Sequence, residues 1–159
     1  MRDSPLQAPP SIPFETERFT MQVHPGWADD TVYVLEGPDE DEEIAPSITI
    51  NIDAEAGDIA LIDYADRQLT MQQETLQACR LLMKQFTALD SGETAYRAVL
   101  SWTPTDERRL FREQWFVVDA PVAYTLTATL TKRMRRTIGP RVQAALRSFV
   151  PGRPLSLRT

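Results

Sequence analysis

Few side chains in this sequence could carry a reaction. His24 is the single histidine and Cys79 the single cysteine, so any Ser-His-Asp or Cys-His relay would have to pass through one of them. His24 stands beside Pro25 and Gly26 and reads as a turn residue. Cys79 has only Arg80 beside it to favour a thiolate. One histidine and one cysteine cannot build a structural zinc site. The acidic run Asp39, Glu40, Asp41, Glu42, Glu43 lacks the spacing and central glycine of a calcium loop and reads as a solvated connection between strands. Asp29 and Asp30 are adjacent in a turn, point different ways and cannot share a proton, so a turn or capping role is expected. With six glycines in the chain, none in a phosphate-cradling or nucleophile-elbow pattern, catalysis has no foothold. The expectation is a non-enzymatic binding protein with no metal and no cofactor.

Recognition chemistry is available instead. Along Leu110 to Val118, Leu110, Arg112, Gln114, Phe116 and Val118 share one face of a strand, and Phe111, Glu113, Trp115 and Val117 share the other. Ser47, Thr49 and Asn51 alternate with Ile48, Ile50 and Ile52. With Val32 and Val34 beside them, these residues would form a sheet face mixing aliphatic groups with hydroxyls and amides. An ordinary hydrated sheet face with scattered apolar residues would give the same pattern.

The elements that must position these residues follow from periodicity. Period-two stretches mark strands at Phe19 to Val23, Val32 to Leu35, Ile48 to Ile52, Ala95 to Thr103, Leu110 to Val118 and Val122 to Thr131, with Leu82 to Leu89 leading into the later group. Leu61, Ala65, Leu69, Gln72 and Leu76 form a helical stripe after Asp58, a plausible N-cap. A second helix begins near Met134 or after Gly139-Pro140, with Val142, Ala145, Leu146 and Phe149 on one side. Sequential strands with short links predict an α+β fold, an antiparallel sheet with two packing helices. If both helices cover one face, the other is open to solvent or a partner. Proline density predicts a flexible leader over 1–13 and a flexible tail over 151–159, leaving a single domain over 14–150.

Composition narrows the partner. A net charge of −6 argues against non-specific nucleic-acid binding, and the cluster Lys132, Arg133, Arg135, Arg136 reads as a solvated turn leading into a helix. No apolar run approaches the roughly 20 residues of a membrane span, so the chain is not expected to be membrane-embedded. A lone cysteine and the lack of a signal-peptide pattern fit the cytoplasm.

Five stretches carry a resemblance, in order from about Phe19 to Pro151: Pro25 to Val34, Pro46 to Ile50, Tyr64 to Leu69, Arg112 to Phe116 and Leu126 to Thr129. Together they resemble the Eag chaperones of bacterial type VI secretion, within the wider DcrB, Mog and PsbP-like fold group. The resemblance implies a PsbP-like fold and a cytoplasmic, usually homodimeric adaptor. Such an adaptor binds the amino-terminal transmembrane segments of an effector protein before export and helps load it on the spike. Residues matching the family's partner-binding groove are Val32, Val34, Ser47, Asn51, Gln68, Leu76, Leu110 and Gln114. Gln72 departs from the pattern, standing on the helix where an apolar or small residue is expected, and Arg112 departs from it by lying on the proposed groove strand. The competing reading is an accessory protein of the same fold, also non-enzymatic, with a different protein partner.

Overall fold

The computed structural model describes residues 11–27, 31–38, 44–104 and 108–152. The acidic run 39–43, the Asp29-Asp30 pair and residues 1–10 and 153–159 of the expected leader and tail lie outside them. The chain divides into two compact units, 1–30 and 31–159, a boundary that falls inside the expected 14–150 domain.

In the first unit, β1 (Ile12–Glu15) pairs antiparallel with β2 (Thr20–Val23), and Phe14 packs its ring 5.8 Å from that of Phe19. Ile12 and Pro13, assigned from sequence to the leader, are therefore strand residues. His24 lies in the turn after β2, where Trp27 N–H donates to its carbonyl at 3.4 Å.

The second unit is a six-stranded antiparallel sheet with helices. Its strands are β3 (Val32–Glu36), β4 (Ser47–Asp53), β5 (Arg80–Ala88), β6 (Thr94–Trp102), β7 (Leu110–Asp119) and β8 (Val122–Leu130). They lie in the order β3-β4-β8-β7-β6-β5. Register between β3 and β4 is pinned where Gly37 N–H donates to Pro46 O at 2.7 Å. A side chain at Gly37 would meet the Pro46 ring at 2.9 Å, so only glycine allows that approach.

The helices are α1 (Leu61–Thr75), α2 (Lys132–Thr137) and α3 (Gly139–Arg147). α1 starts later than Asp58 predicts: Ala60 occupies the N-cap position with extended backbone and no side-chain cap, and Asp63 supplies the negative charge of the first turn. The basic cluster is not a turn but α2 itself, capped by Thr131, whose hydroxyl accepts from Met134 N–H at 3.2 Å. Arg135 of α2 stacks 4.7 Å over Phe111. Among the described residues, no helix is long and apolar enough to cross a membrane.

The helices do not share a face of the sheet. Tyr64, Ala65 and Leu69 of α1 pack on Tyr96, Ala98, Leu100 and Phe116. Leu146, Val142 and Phe149, in and after α3, pack with Trp115, Val117, Leu126, Ala128 and the isoleucines Ile48, Ile50 and Ile52. Neighbouring residues of one strand thus feed two separate cores. This is why β7 shows no solvent side in its pattern: both of its faces are covered.

Candidate functional site

Coverage of the α1 face is incomplete, and this creates the site. Cross-strand register defines three lateral rows on that face. Val32, Asn51, Thr125, Phe116 and Tyr96 form the first; Val34, Thr49, Thr127, Gln114 and Ala98 the second; Glu36, Ser47, Thr129, Arg112 and Leu100 the third. α1 packs on β6 and β7, at the Phe116 and Ala98 end of the rows. The other end, over β3 and β4, stays open: Val32 is 42% exposed and Val34 59%, Asn51 is exposed, and Ser47 and Thr49 are half-buried. Thr125 and Thr127 on β8 are buried where the open part meets α1.

The helix supplies a polar wall along this boundary. Burial pushes the Tyr64 pKa up, with the neighbouring Thr125 opposing that shift, and two turns on Gln72 donates through Nε2 to Gln114 Oε1 at 2.8 Å. Gln114 Nε2 in turn donates to Thr127 Oγ1 at 2.9 Å. Gln68 lies between Tyr64 and Gln72 at i, i+4 spacing, on the same stripe of α1. It is half-buried, and no side chain among the described residues engages its amide.

Gln72 also accepts from Arg112 Nη1 at 2.9 Å. The Arg112 guanidinium stacks 4.8 Å over the Trp102 ring, but its Nε and the Trp102 Nε1 are buried without hydrogen-bond partners. Burial pushes the Arg112 pKa down, with the nearby Cys79 opposing that shift. The Cys79 thiol is pushed up, again by burial first, and Arg112 pulls it part of the way back. Such a thiol is a poor nucleophile. Among the described residues no group of three or more metal-ligating side chains converges.

The eight residues singled out from sequence therefore separate. Val32, Val34, Ser47 and Asn51 lie together on the open part, and Gln68 stands on the wall. Gln114 is beneath the helix, 2% exposed, its amide spent on Gln72 and Thr127. Leu110 is buried opposite Trp102, and Leu76 is the half-buried C-cap of α1. Four residues belonging with them escaped sequence reasoning in this role. Thr127 and Thr129 extend the hydroxyl rows onto β8, legible as the alternation Thr125, Thr127, Thr129 against Leu126 and Ala128. Gln72 and Arg112, which look like intrusions in an apolar groove, are the hub of the wall; their pairing across 40 positions of sequence has no local signal.

A second polar cluster lies behind the site, on the α3 face. Arg97 forms an ion pair with Glu113 through Nε, and its Nη2 donates to Glu113 Oε1 at 2.9 Å. Trp115 Nε1 donates to Glu113 Oε2 at 3.0 Å, and Arg147 stacks 5.5 Å over the Trp115 ring. Hydrogen bonding to Glu113 raises the Arg97 pKa.

Comparison with known proteins follows the same outline. No curated protein matches the chain. The protein of unknown function PA94 from Pseudomonas aeruginosa superposes with a TM-score of 0.71 at 22% identity, covering 91% of this chain and 99% of that one. Cyanobacterial PsbP from Synechocystis sp. PCC 6803 superposes with a TM-score of 0.52 at 9% identity, covering 96% and 98%. At these identities the likeness speaks for a shared fold, the PsbP-like arrangement expected from sequence. The DcrB family model matches residues 20–148, which span both helical faces and the open part of the sheet, and the chain belongs to the DcrB family.

Proposed function

We propose that this protein is a non-enzymatic, cytoplasmic secretion chaperone of the Eag type. It shields the amino-terminal transmembrane helices of a type VI effector on the open part of its α1 face and helps load that effector on the spike. The observation that carries this reading is the open end of the three rows, where exposed valines adjoin a field of threonine, serine and asparagine side chains beside the Gln68 wall. Transmembrane helices pack through small residues that let backbones approach closely, and polar side chains hydrogen-bond across that contact. The aliphatic groups remove the client's apolar surface from water, at about 25 cal/mol per Å². Hydroxyls and amides meet backbone or hydroxyl groups that would otherwise be desolvated without partners.

The buried cluster gives Gln114 a different part from Gln68. Gln114 holds Gln72 and Thr127 in place and so orients the wall, whereas Gln68 is the amide free to meet a client.

Co-expression with a polypeptide carrying apolar amino-terminal segments tests the proposal. The wild-type chain keeps that polypeptide soluble and co-purifies with it. Thr49→Lys, which sets a charge in the middle of the open rows, loses it while keeping its unfolding midpoint. Undiminished capture by a folded Thr49→Lys variant overturns the site. Failure of the wild type to hold any such segment, with binding to a partner lacking one, establishes the accessory-protein reading instead.

A further inference from the structure

On the α3 face, too, the helices leave part of the sheet uncovered. Leu146 and Phe149 pack with Trp115, Tyr124 and Leu126. Toward the β3 edge, between α2, α3 and the paired Leu35 and Ile48 of β3 and β4, lies a cavity of about 330 Å³. Leu35, Ile48 and Leu130 form its floor, and Met134, Ile138 and Val142 its helical side. No aromatic ring lines it among the described residues, so a planar ligand finds no stacking partner. Its volume stands at the low end of the range for small-molecule sites, roughly 300–1,000 Å³. That leaves room for one flexible saturated chain of medium length.

The charge at this cavity is positive. Arg133 and Arg141 border it, both exposed to solvent. Glu36 and Ser47 border it as well, but both stand in the third row of the α1 face, so they offer the cavity backbone and not side chains. The Thr137 hydroxyl donates to the carbonyls of Arg133 at 3.2 Å and Met134 at 3.5 Å and is spent within α2. From Lys132 to Arg147 the chain has no acidic residue, although its net charge is −6. An acidic protein has therefore gathered cations around an aliphatic hollow. Guanidinium groups bind carboxylates through charge-assisted, often bidentate hydrogen bonds.

We propose that this cavity binds a free medium-chain fatty carboxylate. The saturated tail lies among Leu35, Ile48 and Met134, where its apolar surface leaves water, and the carboxylate meets Arg141 and Arg133 at the mouth. The site is separate from the one described under Proposed function. Leu35 and Ile48 alternate with Val34 and Ser47 along the two strands, so β3 and β4 stand between the cavity and the open rows. A ligand bound on the α3 face leaves those rows uncovered.

The test uses the full-length chain with no client, so its failure leaves the client-binding reading standing. Titration calorimetry with octanoate is expected to show one saturable site, and octanoate in excess of its Kd is expected to raise the unfolding midpoint. Octan-1-ol, with the same tail and no charge, is expected to bind about tenfold more weakly, the loss of a hydrogen-bonded charge. Arg141→Gln is expected to bring octanoate down to the level of octan-1-ol while leaving octan-1-ol unchanged. Ala145→Phe, which puts a ring into the cavity from an exposed position, is expected to abolish binding of both. Octanoate binding is expected to persist in Thr49→Lys.

Octanoate that binds no better than octan-1-ol, or that binds undiminished to a folded Ala145→Phe variant, overturns the proposal. Loss of octanoate in Thr49→Lys also overturns it, since the tail then lies on the α1 face. Co-sedimentation with phosphatidylglycerol vesicles in the absence of octanoate binding overturns it as well, because α2 and α3 then contact a bilayer and not a free carboxylate.

Discussion

Glu113 and Gln114 are neighbours in sequence, yet each heads a polar cluster on its own side of the sheet. The Glu113 cluster, with Arg97 and the Trp115 indole, is balanced: one carboxylate meets one guanidinium, and the remaining donor is satisfied. The Gln114 cluster is not. It joins Gln72, Thr127 and Arg112, with no carboxylate among the described residues in contact, and leaves Arg112 Nε and Trp102 Nε1 unsatisfied. A balanced buried pair locks strands together and offers nothing to a ligand. An unbalanced one, beside an open row of hydroxyls, retains hydrogen-bonding capacity at a cost in stability.

Mutations can break this contrast in a ranked order. Glu113→Ala should be the most damaging, since it strands Arg97 in the interior and removes the partner of Trp115. A loss of about 3–5 kcal/mol is expected from urea unfolding. Gln114→Ala removes no charge but leaves Gln72 and Thr127 without their shared partner, for a loss of about 1–3 kcal/mol. It should also weaken client capture by loosening the wall.

Arg112→Met should separate the clusters most sharply. It takes away a desolvated cation that no carboxylate among the described residues compensates, so stability is expected to change by less than about 1 kcal/mol. A loss as large as that from Glu113→Ala would show that the Gln114 cluster is as closed as its counterpart. The smallest effect is on Cys79. Because burial raises its pKa, the folded protein holds less thiolate at pH 8 than the unfolded chain and should react more slowly with iodoacetamide. Arg112 opposes that rise, so Arg112→Met should slow the reaction further.

How much of this was legible beforehand varies with the range of the interaction. Strand positions, the stripe of α1 and the pairing of Val32, Val34, Ser47 and Asn51 on one face follow from period-two and helical spacing, which are local. The start of α1 was misplaced because Asp58 has the chemistry of a cap, while the backbone turns into the helix only at Leu61. The basic run at Lys132 has the local composition of a solvated turn, and nothing in its neighbourhood shows Phe111 beneath Arg135. Gln72 and Arg112 looked out of place in an apolar groove for the same reason: each is explained by the other, across 40 positions.

Side-chain alternation along the chain thus determined which residues could share a face, since pleat and helical pitch are properties of adjacent residues. Strand order, the separation of α1 and α3 onto opposite faces, and the division of one face into a covered and an open part were decided only by tertiary structure. Those features depend on which distant surfaces bury against each other, and several packings satisfy the same local periodicity. The choice among them left Gln114 in the interior and Val34 at the surface, although both belong to one cross-strand row.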